Sequence, residues 1–189
     1  MGTPQPETGP LNNGTSCADC AVCCFALRID EFGKQPGVWC QHCTGHGCGI
    51  YEHRYDICEK FLCGFRLLPS LAPAWRPDRS GIMIIIMGPE EMPEEYRPQG
   101  HGMHFMILGG EKAIARPGFV EYISTLVSRN VAVYVSADSP KTIINPYLRK
   151  LVADKNKAGV QAMISHIYQQ HLKLREINNW QPLPWVHLP

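Results

Sequence analysis

Every cysteine of this chain, nine in 189 residues, lies between positions 17 and 63. The octapeptide CADCAVCC carries Cys17, Cys20, Cys23 and Cys24, the block WCQHCTGHGCGIY adds Cys40, Cys43 and Cys48, and DICEKFLC adds Cys58 and Cys63. Thiolates are soft donors, so this density points to zinc or an iron–sulfur cluster rather than to a hard cation. Two-residue gaps let successive thiolates converge on one centre. Cys17-x-x-Cys20-x-x-Cys23 has the spacing by which a ferredoxin-type loop holds three irons of a cubane cluster, with a remote cysteine on the fourth. Cys24 follows directly, so its side chain points elsewhere, toward a second centre.

Cys40-x-x-Cys43 is the pair found in zinc knuckles and ribbons, and His42, His46 and His53 stand near it. If each site takes four thiolates, nine cysteines fill two sites with one left over. Fewer sites, or histidine ligands, are equally allowed. All nine cysteines are therefore candidate metal ligands, and the spacings admit both a cluster, of the 4Fe–4S type, and Zn2+. The tripod favours the first and the CxxC pair with its histidines favours the second.

The run from Cys17 to Cys24, followed by GCGIYEHRYDICEKF, resembles the YkgJ-like cysteine-cluster family, described as a zinc- or iron-chelating domain. The matching positions are Cys17, Cys20, Cys23, Cys24, Cys40, Cys48, Ile50, Tyr51, Arg54, Cys58 and Phe61. Tyr55 stands where that family has proline and Lys60 where it has arginine, and Cys43 and Cys63 fall outside the common set. The resemblance covers about residues 17 to 66 and implies a bound metal or cluster. The flagellin lysine N-methylases are similar through their cysteine cluster, which links it to methyl transfer. The resemblance thus implies, as an alternative to plain metal binding, a cluster-dependent oxidoreductase or methyltransferase. A zinc module for contact with a protein partner is the third possibility.

Composition narrows the rest. With 44% hydrophobic and 19% charged residues the chain has enough apolar material for a core. A formal net charge of +1, with no run of one sign, lacks the basic footprint that nucleic-acid binding needs. The most apolar run, GIMIIIM at 81–87, is too short to cross about 30 Å of hydrocarbon. MGTPQPETGPLNNGTS has neither the basic start nor the apolar centre of a signal peptide. These features lead us to expect a soluble, cytoplasmic protein with no nucleic-acid or membrane partner, where thiols stay reduced and bind metal rather than form bridges. No GxGxxG, GxxxxGK, HExxH or Ser-His-Asp pattern is present, so the thiols are the only self-contained reactive set.

The elements that must position these thiols fall into zones. Residues 1–16 read as a disordered lead-in, 17–68 as a cysteine-cluster module stabilised by its metal, 68–81 as a proline-rich linker or rigid crossover, and 81–189 as an α/β portion. Strands are expected at 81–87, 103–108 and 131–136. A helix with Pro117 in its first turn should present Phe119, Val120, Ile123, Leu126 and Val127 on one face. Ser139–Pro140 and Asn145–Pro146 resemble helix caps followed by proline, and a long amphipathic helix should run through Val160, Ile164, Ile167 and Leu172. Trp180 and Trp185 are expected to cover the sheet or the module. Met83, Met87, Met103 and Met106 read as core filling, and the glutamates at 90, 91, 94 and 95 as a solubilising loop. His101 and His104 have no third ligand nearby. The expected class is α+β: a small metal-stabilised cysteine-rich module followed by a small α/β sandwich of few strands, in the order β-β-α-β-α.

Overall fold

Three apolar runs supply the sheet. In the computed structural model, which describes residues 19–137 and 140–177, Ile82–Met87 forms β1, Gly102–Ile107 β2 and Ala132–Ser136 β3. A two-residue strand, Thr142–Ile143 (β4), completes the order β1-β2-β3-β4. β1 and β2 are antiparallel, β2 and β3 parallel, and β3 and β4 antiparallel. Cys17, the lead-in 1–16, Ser139, Trp180 and Trp185 lie outside the described residues.

A parallel pair needs a crossover. Here it is Gly110–Ile114 (α5) and Phe119–Ser128 (α6), the latter carrying the expected buried face of Phe119, Val120, Ile123, Leu126 and Val127. Asn145–Ala153 (α7) and Lys157–Ile177 (α8) follow β4. Side chains alternate across the sheet, so Ile84, Phe105 and Val135 form one cross-strand row. Phe105 meets the rings of Phe119 and Tyr122 edge-on, with centroids 5.8 and 6.0 Å away, which seats α6 on that face.

The opposite row is Ile85, His104, Tyr134 and Ile143. Met92 and Tyr96, from the loop between β1 and β2, are buried with Met87, Ala132 and Tyr134 in a second, smaller cluster. That acidic loop is thus more than a solubilising segment: Glu91 accepts from the Gly88 N–H at 3.2 Å and pairs with Lys141 at 3.1 Å. The four methionines at 83, 87, 103 and 106 are all buried, as core filling requires.

Two helix starts differ from expectation. α6 begins at Phe119, because Gly118 takes a left-handed conformation (φ +83°) as its cap and leaves Pro117 outside the first turn. Asn145 does not cap α7. Its side chain is fully buried, accepts the Val133 N–H at 2.7 Å and donates to the Val131 carbonyl at 2.8 Å, so it ties the helix to β3.

Ahead of the sheet the helices are short: Val22–Ala26 (α1), Asp56–Lys60 (α2), Gly64–Leu67 (α3) and Pro77–Ser80 (α4). The proline-rich segment is a packed crossover, with Leu71 buried and Trp75 half-buried against Phe119 and Tyr122. Val22, Ala26, Cys63 and Phe65 belong to the same buried cluster as Ile82, Ile84 and Phe105. α3 lies so close to β1 that a Cβ on Gly64 would stand 2.6 Å from Ile84 Cγ2, a contact only glycine permits. The chain is a mixed α+β fold around one four-stranded sheet.

Candidate metal centre

The cysteine blocks are brought together by backbone hydrogen bonds rather than by long regular elements. Cys23 and Cys24 lie on α1, and the Cys40 N–H donates to the Cys24 carbonyl at 3.0 Å, joining the second block to the first. The second block folds back on itself. Cys43 and Cys48 form an isolated antiparallel bridge, the Thr44 N–H donates to the Gly47 carbonyl at 3.0 Å, and Gly45 takes the turn at φ +85°. The His42 N–H donates to Cys40 Sγ at 3.4 Å, the kind of bond that orients a ligating sulfur. Cys58 sits on α2, and Cys63 precedes α3, whose first turn bonds to its carbonyl. Asp19, beside Cys20, pairs with Arg76 at 2.8 Å, and Arg76 also binds Asp78 at 2.7 Å, so the first block is tied to the crossover.

All eight described cysteines are free thiols, and each except Cys43 lines one cavity of about 170 Å³. A single water needs roughly 10–15 Å³ on the same measure, so the space is far larger than one solvent site. Tyr51 and Ile57 line it and are exposed, so its mouth reaches the surface. His42 is also in the wall, its Nε2 hydrogen-bonded to the Tyr55 hydroxyl at 3.3 Å. His46 and His53 are exposed and do not line it. His101 is exposed, and His104 lies in the sheet, bonded to Ser136 Oγ at 2.7 Å.

The thiols differ in their readiness to ionise. Cys24 directs its S–H to Cys23, which, with help from the Lys34 charge and against burial, holds the Cys23 thiol down at about 7. The same bond, together with burial, pushes Cys24 up. Burial pushes Cys20 up to about 12, and burial followed by the charges of Cys23, Cys40 and Cys48 raises Cys58. Thiols gathered this closely resist ionising together unless a cation compensates them.

Arg28, Arg54 and Arg66 line the cavity, and Lys34 packs on the carbonyl of Leu27, another lining residue. Lys34 is only 4% exposed; its Nζ donates to the carbonyls of Phe25 (3.1 Å), Gln35 (3.3 Å) and Leu27. Arg54 lines the cavity with its guanidinium 3.8 Å from the Tyr51 ring centroid, and its Nε is buried with no hydrogen-bond partner among the described residues. It makes no ion pair with Glu52 among those residues. Lys34 carries no sequence signal, since a single lysine in a turn reads as solvated.

Among the described residues, no three histidine, cysteine, aspartate or glutamate side chains are arranged to hold one metal ion. The donor set nevertheless fits a metal centre in its chemistry: free, shielded, soft and flanked by cations. The thiols line a wall rather than meeting at a point.

No family model, curated protein or solved structure matches this chain. The site must be read from its own donors. Among the described residues no helix is long and apolar enough to cross a membrane.

Proposed function

We propose that this chain is a metal-binding protein whose amino-terminal cavity holds an iron–sulfur cluster through cysteine thiolates. The observation that carries the reading is the convergence of free thiols from three separate blocks on one cavity of about 170 Å³. Zinc bound tetrahedrally at about 2.3 Å requires sulfurs about 3.8 Å apart, which closes the space between them. A sulfide-bridged core spans a wider gap and fills the cavity with its own sulfide ions. The motif likeness to the YkgJ-like family supports a bound metal or cluster without choosing between them. Bound metal would supply folding free energy to a region built from helices of five residues or fewer. In a reducing, cytoplasmic setting such thiols remain available to it.

Zinc is the second reading, favoured by the Cys40–Cys48 fold-back and the His42 N–H on Cys40 Sγ. A cluster-dependent oxidoreductase or methyltransferase follows if the solvent-facing mouth at Tyr51 and Ile57 admits a substrate or electron partner. Redox titration and S-adenosylmethionine binding address that reading, and silence in both removes it.

Anaerobic purification of the full chain, with iron, zinc and acid-labile sulfide measured per chain, tests the proposal. Brown protein with matched iron and sulfide supports the cluster. Stoichiometric zinc without sulfide shifts the reading to a zinc module. Folded protein free of both metals overturns it.

A further inference from the structure

Lys34 is a buried cation, 4% exposed, with no carboxylate in ion-pair contact among the described residues. The carbonyls of Phe25, Leu27 and Gln35 satisfy its N–H donors, but their partial charges do not neutralise an ammonium. Removing such an ion from water is strongly unfavourable unless an opposite charge stands near. Lys34 Nζ binds the carbonyl of Leu27, a residue of the cavity wall; burial pulls its pKa below the ordinary value, and the charges that oppose this are those of Cys40, Cys24, Cys23 and Cys58, which line the same cavity. A second observation points the same way. The buried, unpartnered Nε of Arg54 in the cavity wall is a donor awaiting an acceptor, and buried donors rarely stay unmet.

We infer that Lys34 is the internal counter-ion of an anionic centre carried by Cys23, Cys24, Cys40 and Cys58, with the Arg54 N–H donating to sulfur. This rests on the metal-centre reading above. Four thiols that bind a divalent ion release their protons and leave two net negative charges on the site, and an oxidised cubane of the same core charge does likewise. A fixed cation beside the site therefore favours the bound state, even though it repels the incoming ion, because the product is more negative than the free thiols. Lys34 is a positioning and charge-setting residue, not a ligand.

The test uses the full chain, reduced and stripped of metal, titrated with Cd2+ alone at neutral pH and read by thiolate charge-transfer absorbance. Lys34→Met should weaken Cd2+ binding at least tenfold, while Lys34→Arg, which keeps the charge, should stay within threefold of wild type. Lys34→Gln keeps hydrogen-bond donors for the carbonyls but no charge. It should behave like Lys34→Met, and it decides the matter if the methionine variant does not fold. Circular dichroism reports folding throughout. Equal Cd2+ affinity in wild type and in the folded neutral variants overturns the role of Lys34 and leaves the metal centre standing. Absence of Cd2+–thiolate absorbance in the wild type overturns both.

Discussion

His104 donates no charge to the fold while it stays neutral, and burial keeps it so, holding its pKa down at about 4 against an ordinary value of 6.5. Lys141 and His171 push in the same direction and Glu91 opposes them. Between those two pH values the unfolded chain binds a proton that the folded chain refuses, so stability is complete above about pH 6.5 and falls as pH drops toward 4. The shift corresponds to about 3 kcal/mol. His104→Gln, which can still bond Ser136, should flatten the acid-side loss by about 2–3 kcal/mol in urea denaturation between pH 7 and 4.5. An unchanged slope would show that His104 does not carry it. The Cys23–Cys24 pair makes a second prediction at this scale. Cys24→Ala removes the S–H that stabilises the Cys23 thiolate, so Cys23 should move up from about 7 toward 9.0. The pH dependence of iodoacetamide labelling at Cys23, read by mass spectrometry in reduced, metal-free protein, measures that shift. A midpoint that stays near 7 would assign the effect to the backbone N–H groups of Cys23 and Cys24 and to the Lys34 charge instead.

Asn145 shows what governs the elements. Replacing it with alanine leaves the Val133 N–H and the Val131 carbonyl, both inside the fold, without their partner. That should cost about 2–4 kcal/mol, read as a lowered urea midpoint with an unchanged slope; a loss below about 0.5 kcal/mol would mean water replaces the amide. The sequence displays Asn145–Pro146 as a cap because its letters match a local rule, whereas the structure uses the side chain for a tertiary bond that no local pattern encodes. The same division runs through the other elements. β1, β2, β3, α6 and α8 were legible because their apolar periodicity is set by the face each buries. β4 was not, since two residues with half-buried side chains have no period. α5 was not, since Gly110–Ile114 opens on glycine and is held by its position after β2. Ile85 and Ile86 are half-buried, whereas Ile82, Met83, Ile84 and Met87 of the same strand are buried.

At the scale of the molecule, the crowding of thiols was legible from spacing alone, but the balance of charge around them was not. Lys34 is held beside the site by the carbonyls of Phe25 and Leu27, at the end of α1, and Leu27 lines the cavity. Nor does composition show that the cysteine-bearing segment and the sheet share a buried cluster through Val22, Ala26, Cys63 and Phe65. On the metal-centre proposal, that shared cluster sets where metal removal should act. Before Gly64 the described residues form only short helices, marginal without outside support, and all of their cysteines except Cys43 line the cavity. From Gly64 onward, Phe65 and Leu71 are buried in the core with β1 and its neighbours and do not line the cavity. Stripping the metal from purified protein with a chelator should therefore speed amide exchange at least tenfold across residues 20–62, while β1, β2 and β3 keep their protection. The boundary should fall between Phe61 and Phe65. If exchange rose equally through the strands, the centre would support the whole fold; if it rose nowhere, the thiols would be held in place by packing alone, and the cavity would exist without its ion.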